Sequence, residues 1–168
     1  MKSIFIDCET TGTDPQKHAL IQLAGVIKID DVVKETFDFK IRPFKGDMLD
    51  PKALEVNRVT RDMLATYPES SVQFAQFQGI LSRYIQKYET TDKAFFIGWN
   101  ADFDADFVRA WFLKHGDEYF GSWFFVPILD VAKIAAFQLR EARHRFPNFR
   151  LVTVAKHLGI EFDEATAH

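Results

Sequence analysis

Cysteine is nearly absent from this chain, and so is any excess of positive charge. Of 168 residues only Cys8 is a cysteine, so no internal disulfide can form, which suits a reducing compartment. Its 21 Lys and Arg stand against 24 Asp and Glu, a formal net charge of −3. A chain of that sign has no global basic field with which to hold nucleic acid through phosphates alone. No apolar run reaches the ~18 residues of a membrane span, and no signal-peptide pattern opens the chain, so a cytoplasmic protein without a membrane partner is expected. Internal repeats, low-complexity tracts and linkers are also lacking. A single domain over 1–168 is the expected organisation.

What the chain has in quantity is apolar side chain. Hydrophobic residues make up 47% of it, and Phe alone occurs 18 times, enough for a substantial core. Most of these rings read as core filling rather than platforms for bases. Lys2 to Cys8 is short, apolar and β-branched, the pattern of a strand buried on both faces. Gln22 to Ile29 and Glu35 to Ile41 read as two more strands, with Asp30-Asp31 as a hairpin turn between them. The segment around Pro51 and Pro68 reads as short helical turns, and Ser71 to Tyr88 as a long amphipathic helix capped by Ser70 or Ser71. A fourth strand, Ala94 to Gly98, precedes a helix that begins at Asn100 and ends before Gly116. Phe124 to Leu129 reads as a fifth strand, followed by helices over Val131 to Arg143 and Leu151 to Leu158. The sum is an α/β fold with a mixed sheet between helices.

Two acids interrupt the first strand at its carboxyl end, in "FIDCETTG". Alternation along a strand points Asp7 and Glu9 the same way and Cys8 oppositely, and open α/β sheets bind ligands at this edge. Adjacent half-buried carboxylates repel unless a proton or a cation neutralises them. Oxygen-only donors favour Mg²⁺ or Mn²⁺ over Zn²⁺. A solvated Glu9 just past the strand end is the competing reading. In "GWNADFDADFV", Asn100 is a candidate N-cap, and Asp102, Asp104 and Asp106 crowd the first turns, where the helix dipole favours acids. Alternate helical positions are about 200° apart, so at most one of the three can face a site. Asp104, next to the apolar stripe that Phe103 begins, is that one. His18, His115, His144 and His157 have no ligand spacing and read as surface or cap residues. "RHRFPNFR", Arg143 to Arg150, offers local basic charge and also reads as a solvated loop.

Taken in order, these segments resemble the DEDDh family of 3′→5′ exonucleases, which includes polymerase proofreading domains, RNase T and oligoribonuclease. "FIDCETTG" is similar to the family's first motif, D-x-E-T-T-G, and "NADFD" to its second, N-x-x-F-D. "LIQLAGV", "ALEVNRVT", "LDVAKIA" and "LVTVAKHLGI" resemble segments between and after them, although Asn57 stands where many members have histidine. "ATAH" matches the start of the third motif, H-x-A-x-x-D. That motif would reach a fourth acid five residues after His168. The chain ends first, so the expectation is a domain truncated within the motif, whose activity is weak or absent for want of that acid.

The resemblance implies an RNase H-like fold, a central five-stranded mixed sheet flanked by helices, and phosphodiester hydrolysis with two divalent metal ions, Mg²⁺ or Mn²⁺. It makes Asp7, Glu9 and Asp104 metal ligands and His168 the general base. Thr10, Thr11, Gly12, Asn57, Asn100 and Phe103 would bind substrate, Phe103 by stacking, with core packing as its alternative. The implied partners are 3′ ends of single-stranded DNA or RNA and a DNA polymerase. An alternative on the same fold is a module that grips such ends, or a polymerase, without cleaving. An RNase H-like endonuclease fits less well, because the third motif's histidine favours the exonuclease branch.

Overall fold

The computed structural model describes residues 1–161. Strand β1 (Lys2–Thr10) lies at the centre of a five-stranded sheet, between β2 (Leu20–Ile29) and β4 (Ala94–Gly98). β3 (Val32–Lys40) forms one edge and β5 (Phe124–Asp130) the other, giving the order β3-β2-β1-β4-β5. β1, β2 and β3 pair antiparallel, while β4 and β5 run parallel to β1. Asp30 and Asp31, with φ of 49° and 65°, make the two-residue hairpin turn between β2 and β3, the left-handed geometry that matches strand twist.

One face of the sheet is densely packed. Ile4, Ile6 and Cys8 of β1 share it with Leu23, Ile27, Phe37, Phe39 and Phe96. Helices α3 (Ser70–Tyr84) and α4 (Ala101–Lys114) cover it with Phe74, Phe77, Leu81, Phe107, Trp111 and Phe112. The short α5 (Phe120–Trp123), which no sequence signal announced, adds Phe120 and Trp123. The other face is thinly covered. Phe5 is 39% exposed and Asp7 is exposed, so β1 is not buried on both faces as its apolar sequence suggests. α6 (Val131–Gln138), which lies against β4, buries none of its residues, and it gives way to a 3-10 helix at Arg140–Arg145 instead of continuing to Arg143. α7 (Leu151–His157) follows. Among the described residues no helix is long and apolar enough to cross a membrane.

Two helix N-caps differ from the sequence reading. α3 has Glu69 at its N-cap with no side-chain cap bond. Ser70 is buried instead, and its Oγ accepts from Trp111 Nε1 at 2.7 Å and pairs with His115 Nε2 at 2.9 Å. His115 is the C-cap of α4, one of the two places the sequence allowed it, and it is half-buried: its ring stacks on Phe74 at 4.4 Å, and burial pulls its pKa down. Asn100 occupies the N-cap of α4 but sits at φ 59° and makes no side-chain cap bond.

After β1 the chain is pinned by Thr11, which is fully buried. Its hydroxyl donates to Met48 O at 2.7 Å and accepts from Ala19 N–H at 2.8 Å, and its carbonyl accepts from Asp50 N–H at 2.9 Å. Asp50 in turn caps α1 (Pro51–Val56), and α1 with α2 (Arg61–Thr66) rests on a small second core of Ala19, Ile21, Leu54 and Leu64. Removing that hydroxyl strands a buried N–H and a carbonyl. Thr11→Val is expected to cost roughly 2 to 4 kcal/mol of stability, measured by chemical denaturation; a loss below about 0.5 kcal/mol would refute the pinning role.

Candidate active site

The end of β1 alternates as a strand should. Asp7 is exposed and Glu9 half-buried on the open face, while Cys8 between them is buried on the core face. Asp104, in the first turn of α4, is only 4% exposed, and its carboxyl accepts hydrogen bonds from the backbone and thiol of Cys8. It thus meets the strand end from the core side, opposite the face that carries Asp7 and Glu9.

Their charges interact. Burial, and then the negative charge of Asp7, push the Asp104 carboxyl up to about 7, while the hydrogen bonds from Cys8 act the other way. The Cys8 thiol is raised well above its ordinary value by burial and by the charges of Asp104, Asp7 and Glu9. Oxygen donors crowded until one holds a proton suit a hard divalent cation in kind. Among the described residues no three His, Cys, Asp or Glu side chains are grouped tightly enough to hold an ion. Asp7, Glu9 and Asp104 therefore fit such a cation in donor chemistry, without closing a ligand shell by themselves.

Two crevices flank the acids. One, of about 350 Å³, is lined by Asp7, Glu9, Gln22, Lys40 and Asn57. Its neighbour, of about 340 Å³, is lined by Glu9, Thr10, Gly12, Asn57 and Phe103. The fold thus brings most of the sequence-nominated substrate residues to Glu9. Asn57 Nδ2 donates to Thr10 O at 2.8 Å, and Thr10 Oγ1 donates to Gly12 O at 2.7 Å, so both side chains brace the turn. Gly12 has no room for a side chain, because a Cβ there would lie 2.2 Å from His18 Cδ2. His18 is half-buried over that turn and accepts from Asp14 N–H at 3.1 Å, so it is not a plain surface residue. Phe103 is half-buried with its ring 4.9 Å from Phe107, and it still lines the crevice. Asn100 is exposed and lines neither crevice. His168 lies outside the described residues.

The neighbouring acids of α4 are otherwise engaged. Asp102 pairs with Lys133, and Asp106 with Arg109 at 2.9 Å, which leaves Asp104 as the inward one. Sequence reasoning missed Asp130. This 6%-exposed carboxylate accepts from Asn100 N–H at 3.0 Å and from Ala132 N–H at 2.9 Å, tying the start of α4 to that of α6. Its signal was an Asp immediately before a helical run, the N-cap pattern.

The Asp104 carboxyl gives a signed prediction. Its pKa of about 7 lies above the ordinary aspartate value of 3.8, so the folded state binds the proton more tightly. The metal-free protein therefore loses stability as pH rises from about 4 through 7, by an amount on the order of 4 kcal/mol. Asp104→Asn should raise the melting temperature of the metal-free protein at about pH 8 by roughly 5 °C or more, with the gap closing toward pH 5. Thermal melts across that range check it, and a pH-independent gap would contradict the repulsion.

Comparison with known proteins identifies the family and the fold. Ribonuclease T of Actinobacillus pleuropneumoniae serotype 5b is 31% identical over 114 residues, covering 64% of this chain and 51% of the relative. Ribonuclease T of Yersinia enterocolitica is also 31% identical over 114 residues, covering 64% and 52%. The chain spans about half the length of these relatives. E. coli exonuclease I in complex with a dT13 oligonucleotide superposes with a TM-score of 0.73 at 21% identity, over 96% of this chain and 36% of that one. A product-bound exonuclease I gives 0.74 at 22% identity, over 99% and 40%. At such identity these structures establish the fold, which is RNase H-like. Matched over residues 4–168 by the exonuclease family model RNase T, the chain belongs to that family.

Proposed function

We propose that this chain is a metal-dependent 3′→5′ exonuclease domain acting on single-stranded DNA or RNA. The observation that carries the reading is the buried Asp104 carboxyl held beside Asp7 at the end of β1, with its pKa raised to about 7. Strongly shifted carboxyls cluster at functional sites, and a cation would relieve this repulsion. Family membership supports the hydrolytic chemistry, and the oligonucleotide complexes of E. coli exonuclease I support the single-stranded substrate.

Asp7, Glu9 and Asp104 would hold divalent ions, Mg²⁺ or Mn²⁺ by their oxygen donors. When bound, such ions polarise the phosphate and make water a stronger nucleophile at neutral pH. Asp104 would hold such an ion with its carboxyl ionised. The crevice of Thr10, Gly12, Asn57 and Phe103 beside Glu9 takes the terminal nucleoside, with the Phe103 ring against the base. His168 serves as the base that accepts a proton from the attacking water. The net-negative chain then meets a polyanion through cations, which answers its lack of a global basic field.

A 5′-labelled single strand incubated with the protein and Mg²⁺ or Mn²⁺ should shorten stepwise from its 3′ end, and chelation should stop it. Asp7→Ala, at an exposed position that leaves the core intact, should abolish the shortening. Undiminished shortening in Asp7→Ala, or products cut internally, would sink the proposal.

A further inference from the structure

The stretch between α6 and α7 has no part in the site above. Residues 140–150 contain Arg140, Arg143, Arg145 and Arg150 against the single acid Glu141, a local charge of +3 in a chain whose net charge is −3. All four arginines are exposed. Arg140 is occupied, 3.6 Å from Glu141 and stacked over Phe137 at 4.8 Å. Arg143, Arg145 and Arg150 form no ion pair among the described residues.

Aromatic rings run beside them. Phe146 and Phe149 lie 5.5 Å apart, and Phe149 stacks on Trp99 at 6.0 Å with 23° between planes. All three are half-buried, so each keeps surface in reach of a ligand. Trp99 fixes where this row begins. It sits between Gly98, the last residue of β4, and Asn100, which opens the helix carrying Asp104. With Asp7 and Leu151 it also lines a groove of about 620 Å³ on the open face of the sheet. The row of rings thus begins at a groove that Asp7 also lines.

A solvated loop accounts for arginines but not for three half-buried rings in contact, Trp99 stacked on Phe149 and Phe146 edge-on to it. An acidic peptide would use the arginines and leave the rings idle. A single-stranded polynucleotide uses both: guanidinium groups pair with phosphates, and bases stack on aromatic faces. We propose that this strip binds the nucleotides upstream of the 3′ terminus, with Arg143, Arg145 and Arg150 on phosphates and Trp99 and Phe149 under bases. This rests on the exonuclease reading and adds to it the part of the strand that is held but not cut.

The test compares the parent with Arg143→Gln/Arg145→Gln. Kinetics are measured on a dinucleotide and on a single strand of about 12 nucleotides, within the usual site size of such tracks. Fluorescence anisotropy of the longer strand in chelator follows binding without cleavage. Losing two phosphate contacts should lower the slope of log affinity against log salt by about 1.4. KM for the longer strand should rise roughly tenfold, since base-independent phosphate contacts supply much of such affinity, while kcat and the dinucleotide kinetics stay unchanged. Unchanged KM and unchanged salt slope in a variant whose parent hydrolyses both substrates would overturn the strip and leave the exonuclease reading standing. Absence of hydrolysis in the parent would count against that reading instead, and anisotropy would still decide the strip by the same slope. Loss of binding to a polyglutamate peptide with oligonucleotide binding intact would make the surface a protein-docking one and overturn the proposal.

Discussion

A carboxyl kept out of water next to another negative charge is the constraint on which the site depends. Asp104 stands 4% exposed against the end of β1, and Asp7 repels it. Left to electrostatics, α4 would draw back. It does not, because the helix buries Phe107, Trp111 and Phe112 against the sheet, and each such side chain contributes about 1.5–3 kcal/mol. Three of them outweigh a penalty on the order of 4 kcal/mol. Packing therefore holds the Asp104 carboxyl against the strand end in spite of the repulsion.

The same logic of bracing runs around the strand end. Asp130 ties the entrance of α4 to α6, Thr11 locks the turn after β1 to Ala19, Met48 and Asp50, and Asn57 closes back on Thr10 O. Each is a polar side chain satisfied by backbone groups, so the chain around the acids has little freedom to adjust. A site held on strand and helix ends in this way is more finely positioned than one carried by free loops. The two faces of the sheet divide the work: one supplies the aromatic core, and the other stays open beside Phe5 and Asp7.

Much of this was legible in the residues. The alternation of Asp7, Cys8 and Glu9 gave their facing directly, because a period of two leaves no choice once the strand is recognised. The singling out of Asp104 from Asp102 and Asp106 followed from helical geometry, and their ion pairs with Lys133 and Arg109 agree with it. What stayed hidden depends on tertiary partners. The apolar run of Lys2 to Cys8 does not say whether a second layer covers Phe5. Ser70 before a helix has the look of a cap, yet the indole of Trp111 takes its oxygen. Asp130 looks like a helix cap and is one, but its second bond reaches Asn100 across 30 positions of sequence. A histidine such as His115 shows no sequence mark of the Phe74 ring on which it stacks.

The proposal that Asp7, Glu9 and Asp104 act together on one cation is tested by the Asp104 proton, which a bound cation would displace. Calorimetric titration of Mn²⁺ at about pH 6, in buffers of different ionisation enthalpy, counts protons released on binding. The account requires close to one proton released per protein, because Asp104 with a pKa near 7 is mostly protonated there, and none released by Asp104→Asn. Binding with no proton release, or the same release in Asp104→Asn, would contradict it.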